Sequence, residues 1–319
     1  MPPLVSVSVD LDSVLCYHRI HGLGEDAGEA RFAVLRRALP RLAEVFAEQG
    51  ISATFFVVGR DLEEDGQGRA VVTELARTGH EIASHTYSHP YDLVRLGTEA
   101  MAAEIDRAHA AIAEACVCPP VGFRAPGYEI SGELIDLLVE RGYRYDSSTF
   151  PALPYYLAKA AVMAALRLAG RRSASILGSP KVILAPRSPY HPAAGAPYRR
   201  GQLPLVELPV TVTPTARVHV IGTTLVLAPP WLRRHLVKSA LATAHFNLEL
   251  HGIDLADAAA DGLSPRLVAR QPDLRVPLAR KRAALEATFA QARAEGARFV
   301  TLAEAAEHFA QDSHAKVPS

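Results

Sequence analysis

Apolar and polar positions alternate along this chain with two different periods, and the switch between them recurs from end to end. Near the start, "LVSVSV" sets apolar residues against serines with period two, which predicts a strand running straight into "DLDS". From Arg31 to Gln49, the residues Phe32, Leu35, Leu39, Leu42, Val45 and Phe46 share one helical face, and Gly50 stops the pattern. "SATFFVVG" is a continuous apolar run rich in β-branched and aromatic residues, as a buried strand requires, bounded by Gly59. A helix over 70–77, stopped near Gly79, and a short strand "HEIAS" follow. Helix 98–115, strand "VGFRA", helix 131–141 and strand "YRYDSS" continue the alternation. After Leu205, "VELPVTV", helix 230–243, "HFNLELHG", helix 278–294 and "RFVTL" resume it. Repeated strand–helix units predict an α/β fold, a parallel sheet with helices outside, open or closed into a barrel. In either form, reactive groups gather where strands end and loops begin.

Residues 151–204 break the rhythm. They hold one very apolar helix, Tyr155 to Leu168, and then a Pro-rich loop with Arg187, Tyr190, Tyr198, Arg199 and Arg200. The helix lacks the polar face of an ordinary surface helix. It is read first as a buried cap over the site. The alternative is peripheral membrane contact through 155–168, with Lys159, Arg167, Arg171 and Arg172 at its edges. The expected organisation is one domain over 1–310, the insert 151–204 as its cap, and a disordered tail at 311–319.

Composition narrows the partners. Lys+Arg and Asp+Glu balance at 34 each, so no long-range field gathers nucleic acid or anionic membrane, and any ligand must be held by local chemistry. No basic segment followed by an apolar core opens the chain, and no stretch approaches about 18 uninterrupted apolar residues. Three cysteines make no disulfide framework, and "ACVCPP" lacks the second half of a thiolate metal site. The expected location is cytoplasmic, with the inner membrane face as a peripheral option.

The candidate chemistry lies at the strand ends, where Asp10, Asp12, His85, Arg124, Asp146 and His251 fall. In "EIASHTYSHP", His85 and His89 stand four apart. Read as one turn of helix, they turn both rings to the same side, a known way to grip a divalent ion. A catalytic metal generally takes three protein ligands and keeps one position open, and Asp12 is the natural third. An Asp-His-His set accepts zinc, cobalt, manganese or iron, with zinc the expected occupant.

"SVDLDS", "SHTYSH", "FRAPGY", "RYDSS" and "LELH" occur in this order over residues 8–252 and resemble the five motifs of the NodB-type polysaccharide deacetylases, carbohydrate esterase family 4. The resemblance implies a distorted (β/α) barrel with fewer than eight strands, and metal-dependent removal of acetyl groups from sugars. It makes Asp10 the general base and Asp12, His85 and His89 the metal ligands. Arg124 would tether the base, while Asp146 and His251 would form an acid pair in which His251 protonates the leaving group. Pro126, Gly127, Tyr128 and Ser147 would border the substrate, with the backbone N–H after Pro126 as an oxyanion donor. Two departures stand out: Leu11 separates the aspartates, as in a sub-branch that includes allantoinase-like amidases, and Gly127 takes the place of the usual tyrosine. The expected substrate is an N-acetylated sugar, polysaccharide or lipid-linked glycan. A small non-sugar amide is the alternative, and an inactive carbohydrate-binding relative is a third reading. Among secondary candidates, Glu249 is read as facing away from the site, Asp254 as a loop acid with support of the site residues as the lesser reading, and His80 as a structural end residue. His18 and His21 are loop residues with substrate contact as the lesser reading, and Trp231 is a packing anchor with a sugar-stacking platform as the lesser reading.

Overall fold

The computed structural model describes residues 2–24, 27–168, 170 and 173–314. Along the chain the strands are β1 (Leu4–Asp10), β2 (Thr54–Val57), β3 (Glu81–Ser84), β4 (Gly122–Phe123) and β5 (Tyr145–Asp146). Then come β6 (Pro192–Ala193), β7 (Ala196–Arg200), β8 (Val206–Glu207), β9 (Phe246–His251) and β10 (Arg298–Phe299). All pair in parallel except β6 and β7, which form a separate antiparallel hairpin. Seven strands curl in the order β9-β1-β2-β3-β4-β5-β8, and β10 adds to the lower end of β1. The ring is drawn together where the Thr211 N–H donates to the Asn247 carbonyl at 3.2 Å. The result is a distorted barrel with helices around it, the form that the family resemblance implies and one of the two that the alternation leaves open.

The period-two pattern of β1 explains its two faces. Val5, Val7, Val9 and Leu11 point outward into an apolar layer shared with Leu42, Phe46, Phe55 and Phe289 of the surrounding elements. Ser6, Ser8 and Asp10 point into the barrel. There Ser8 donates to Asn247 Oδ1 at 3.1 Å, and Asn247 Nδ2 donates to Ser147 Oγ at 2.9 Å and to the Leu208 carbonyl at 3.1 Å. A polar lumen is tolerable because these groups are paired with one another. The lower end is plugged by Phe56, Tyr145 and Leu302. Tyr145 lies across Gly122, where any Cβ would fall inside its ring.

Helices Thr98–Cys116, Gly132–Glu140, Pro230–Leu241 and Leu278–Ala294 lie where the helical spacing predicts them. Three expectations need correction. Helix Leu302–His314 continues through 311–314, which had been read as tail, because Leu302, Ala305 and Ala306 anchor it under the barrel; 315–319 lie outside the described residues. The insert helix runs Leu153–Leu168 and buries none of its residues, so it is not the enclosed cap of the first reading. Of the cations expected at its edges, Arg171 and Arg172 lie outside the described residues. Trp231 is no packing anchor: it is 65% exposed at the start of its helix.

Candidate metal and catalytic site

Register assembles the site. Asp10, the last residue of β1, pairs with Phe56 on one side and His251 on the other, and Ser8 pairs with Glu249. His85 follows β3, Arg124 follows β4 and Ser147 follows β5, so one rim of the barrel collects them all.

Asp12 Oδ1 lies 3.2 Å from His85 Nε2 and 3.1 Å from His89 Nε2, and all three residues are buried. The two histidines converge by a route other than the expected helical turn. Residues 85–89 form a loop in which Thr86 and His89 adopt φ of 65° and 58°. Such left-handed backbone is costly outside glycine and persists where the surroundings over-determine it. Here the His89 N–H donates to Thr86 Oγ1 at 3.1 Å, and Glu104 accepts from the Tyr87 and Ser88 N–H groups at 3.1 and 2.8 Å. The rings end 4.8 Å apart, centroid to centroid.

His85 Nδ1 donates to the Arg124 carbonyl at 2.6 Å, which leaves Nε2 as the free lone pair facing Asp12. Asp12 Oδ1 and His89 Nε2 are buried without a hydrogen-bond partner. Buried polar atoms left in this state call for a ligand. One carboxylate and two imidazoles converging on one point fit a divalent cation. Burial would raise the Asp12 pKa, but the His89 and His85 rings beside it hold it well below the usual carboxylate range. For His85, burial pulls downward, yet Asp10 and Asp12 raise its pKa overall.

Beside this triad, the wholly buried Arg124 holds Asp10. Its Nη1 donates to Asp10 Oδ1 at 2.5 Å, Nη2 to Ser8 Oγ at 3.0 Å and to Ser147 Oγ at 2.8 Å, and Nε to the Ser147 carbonyl at 2.8 Å. The guanidinium also stacks on Phe56 at 4.1 Å. Asp10 Oδ2 is 4.0 Å from His85 Nε2, next to the triad while its other oxygen is tied to arginine.

The partner of His251 is Glu249, not Asp146. Glu249 Oε1 lies 2.7 Å from His251 Nδ1. Residues two apart on an extended strand share a face, so alternation puts Glu249 inside the site; the outward reading misapplied that rule. Burial disfavours the imidazolium, but the Glu249 charge and hydrogen bond raise the His251 pKa well above its ordinary value. For Glu249, burial pushes upward, and His251, Arg124 and Tyr128 outweigh it. Asp146 instead accepts from Ser148 Oγ at 2.7 Å and lies beside Glu207, whose pKa burial and Asp146 push well up. Ser148 Oγ in turn accepts from the Ala125 N–H at 2.8 Å, so Asp146 shapes the floor beneath residues 124–125.

Gly127 and Tyr128 both have φ of 64°. A Cβ at Gly127 would approach Tyr91 Cδ1 at 3.2 Å, so a side chain here would require the Tyr91 ring to give by a few tenths of an ångström, and the positive φ would strain it. Pro126 is buried, and Ser147 serves Arg124 rather than facing outward. Asp254 is buried, not a solvated loop acid. Its Oδ2 accepts the His251 N–H at 3.0 Å, and burial lifts its pKa to about 7. His80 Nδ1 accepts the Ala53 N–H at 3.0 Å, a structural role. His21 Nε2 lies 3.0 Å from Gln271 Oε1, and His18 is buried.

Residues 26–145 match the family model described as polysaccharide deacetylase. Over 159 residues the chain is 27% identical to the peptidoglycan deacetylase of Helicobacter pylori, a match covering 48% of this chain and 53% of that protein. Over 76 residues it is 37% identical to a chitooligosaccharide deacetylase of Rhizobium leguminosarum bv. trifolii, covering 24% of this chain and 34% of that one. The matched region thus spans about half or less of these curated relatives. A crystal structure from Mycobacterium smegmatis, assigned to polysaccharide deacetylases, superposes with a TM-score of 0.61 at 21% identity. That match covers 97% of this chain and 93% of the other, and it establishes a common fold.

Proposed function

We propose, from the premise that this chain belongs to the polysaccharide deacetylase family, that it is a metal-dependent hydrolase removing an acetyl group from an N-acetylated sugar. The observation that carries this reading is the convergence of Asp12 Oδ1, His85 Nε2 and His89 Nε2, the first and last of them buried without a hydrogen-bond partner, beside an arginine-held Asp10 and a glutamate-backed His251. The similarity to a peptidoglycan deacetylase and a chitooligosaccharide deacetylase supports a sugar substrate.

Asp12, His85 and His89 would hold the ion; zinc suits this donor set, and cobalt, manganese and iron are compatible. When bound, it would polarise the acetyl carbonyl and activate water for attack. Asp10 takes the proton from that water, held in position by Arg124. His251 gives a proton to the departing amine, and Glu249 keeps the ring charged and turned for that task. The Gly127 N–H donates to the developing oxyanion. Base and acid each contribute roughly 10² to 10⁴ in rate.

The test is acetate release from N-acetylated sugars by purified protein, with and without chelator, using Asp10→Asn as control. Release that needs metal and Asp10 supports the proposal. Turnover of a small cyclic amide without acetate release, or tight sugar binding without turnover, contradicts it.

A further inference from the structure

The insert helix presents an unusual outer face. Its inner side is fixed to the site rim: Tyr155 packs on Phe150 with centroids 4.9 Å apart and on Tyr128 at 6.2 Å, and Lys159 Nζ donates to Glu129 at 2.9 Å. Tyr156 Oη donates to the Gly178 carbonyl at 3.1 Å, holding the following loop beneath it. With that side pinned, the outer side shows Leu157 at 57%, Val162 at 57% and Leu168 at 90% exposure. Leu184, 83% exposed, lies in the short turn Pro180–Leu184 that packs against the helix. The intervening outward positions are alanines, with Arg167 the one charge among the described outward residues. An apolar face of this kind, left in water, marks a contact surface.

Charge identifies what it contacts. Residues 151–204 contain eight Lys or Arg and no Asp or Glu, in a chain whose total charges balance. The positive excess is therefore confined to the segment carrying the apolar face, while the rest of the molecule is net acidic. A second copy meeting this face symmetrically would set two such positive segments together, which is repulsive. A surface that is apolar within and negative without matches both properties: an anionic lipid bilayer takes the apolar side chains below its headgroups and pairs with the cations. No described helix is long and apolar enough to cross a membrane, so the contact is interfacial.

We infer that the outer face of helix Leu153–Leu168, with Leu184 and the basic residues of segment 151–204, docks this protein on anionic lipid surfaces. Because Tyr155 joins the same helix to Tyr128 at the site rim, docking brings the rim toward the headgroup layer. That favours sugars carried on lipids over free oligosaccharides. The docking itself does not depend on the deacetylase reading.

Co-sedimentation of the full chain with vesicles of phosphatidylcholine, alone or mixed with phosphatidylglycerol, tests it. Binding to mixed vesicles at low salt is expected, at least about tenfold weaker to phosphatidylcholine alone, and reduced by raising salt. The double variants Leu157→Asp with Val162→Asp, and Arg167→Glu with Lys181→Glu, should each weaken binding by at least about tenfold. Their melting temperatures and rates on a soluble substrate should stay unchanged, since these residues lie outside the site. Absence of vesicle binding at low salt overturns the inference, as does binding that both double variants leave intact. So does a dimer in sedimentation velocity that the apolar double variant dissolves.

Discussion

At the scale of the residue, the account turns on which carboxylate stands behind His251. The ring sits 2.7 Å from Glu249, and its pKa is raised well above the ordinary value. A general acid works only while protonated, so activity should hold through neutral pH and fall as pH rises through that raised value. Glu249→Gln removes the charge that raises it. The descending limb of the kcat/KM profile should move to lower pH by about one unit or more, while Asp146→Asn leaves that limb where it was. A pH–rate series on the two variants checks this. Arg124→Met is expected to be worse for the fold than for any one step. It strands buried Asp10 without its ion-pair partner, which costs roughly 3–5 kcal/mol in urea unfolding. The sequence made Asp10, Asp12, His85, His89, Arg124 and His251 legible, because each ends a strand or lies in the loop after one. It hid Glu249 only through an error of parity, since residues 249 and 251 must share a face.

At the scale of the element, the barrel is held by a buried amide as well as by strands. Asn247 spans β1, residue 147 and the segment after β8 through four side-chain hydrogen bonds. Asn247→Leu should cost about 2–3 kcal/mol, because Ser8 and the Leu208 carbonyl lose a buried partner. Chemical denaturation of the variant measures it. Long helices and β1 could be read from periodicity, since burial of one face writes the pattern. The two-residue strands β4, β5 and β8 fall inside the predicted "VGFRA", "YRYDSS" and "VELPVTV", whereas the hairpin β6–β7 hides in Pro and Gly. The loop 85–89 mimics helical spacing while reaching convergence through left-handed residues, a solution that spacing alone does not distinguish.

At the scale of the whole molecule, an alternating β/α chain rolls its strand ends into one polar rim, and the insert covers part of that rim with a helix that is apolar on its outer side. The rim was legible because the fold class dictates where strand ends gather. The exposure of the insert helix was not, because an all-apolar helix reads the same whether it faces a core or a lipid surface. The proposed function requires three side chains from two loops to serve one cation. A cation bound there should also stabilise the fold, by about 2.7 kcal/mol when supplied at a hundred times its dissociation constant. Calorimetric titration of zinc into metal-stripped wild type and into His89→Ala tests this most directly. The account predicts one tight site per chain in the wild type and its loss in the variant. Wild type that binds no ion, or a variant that binds as tightly, would contradict it.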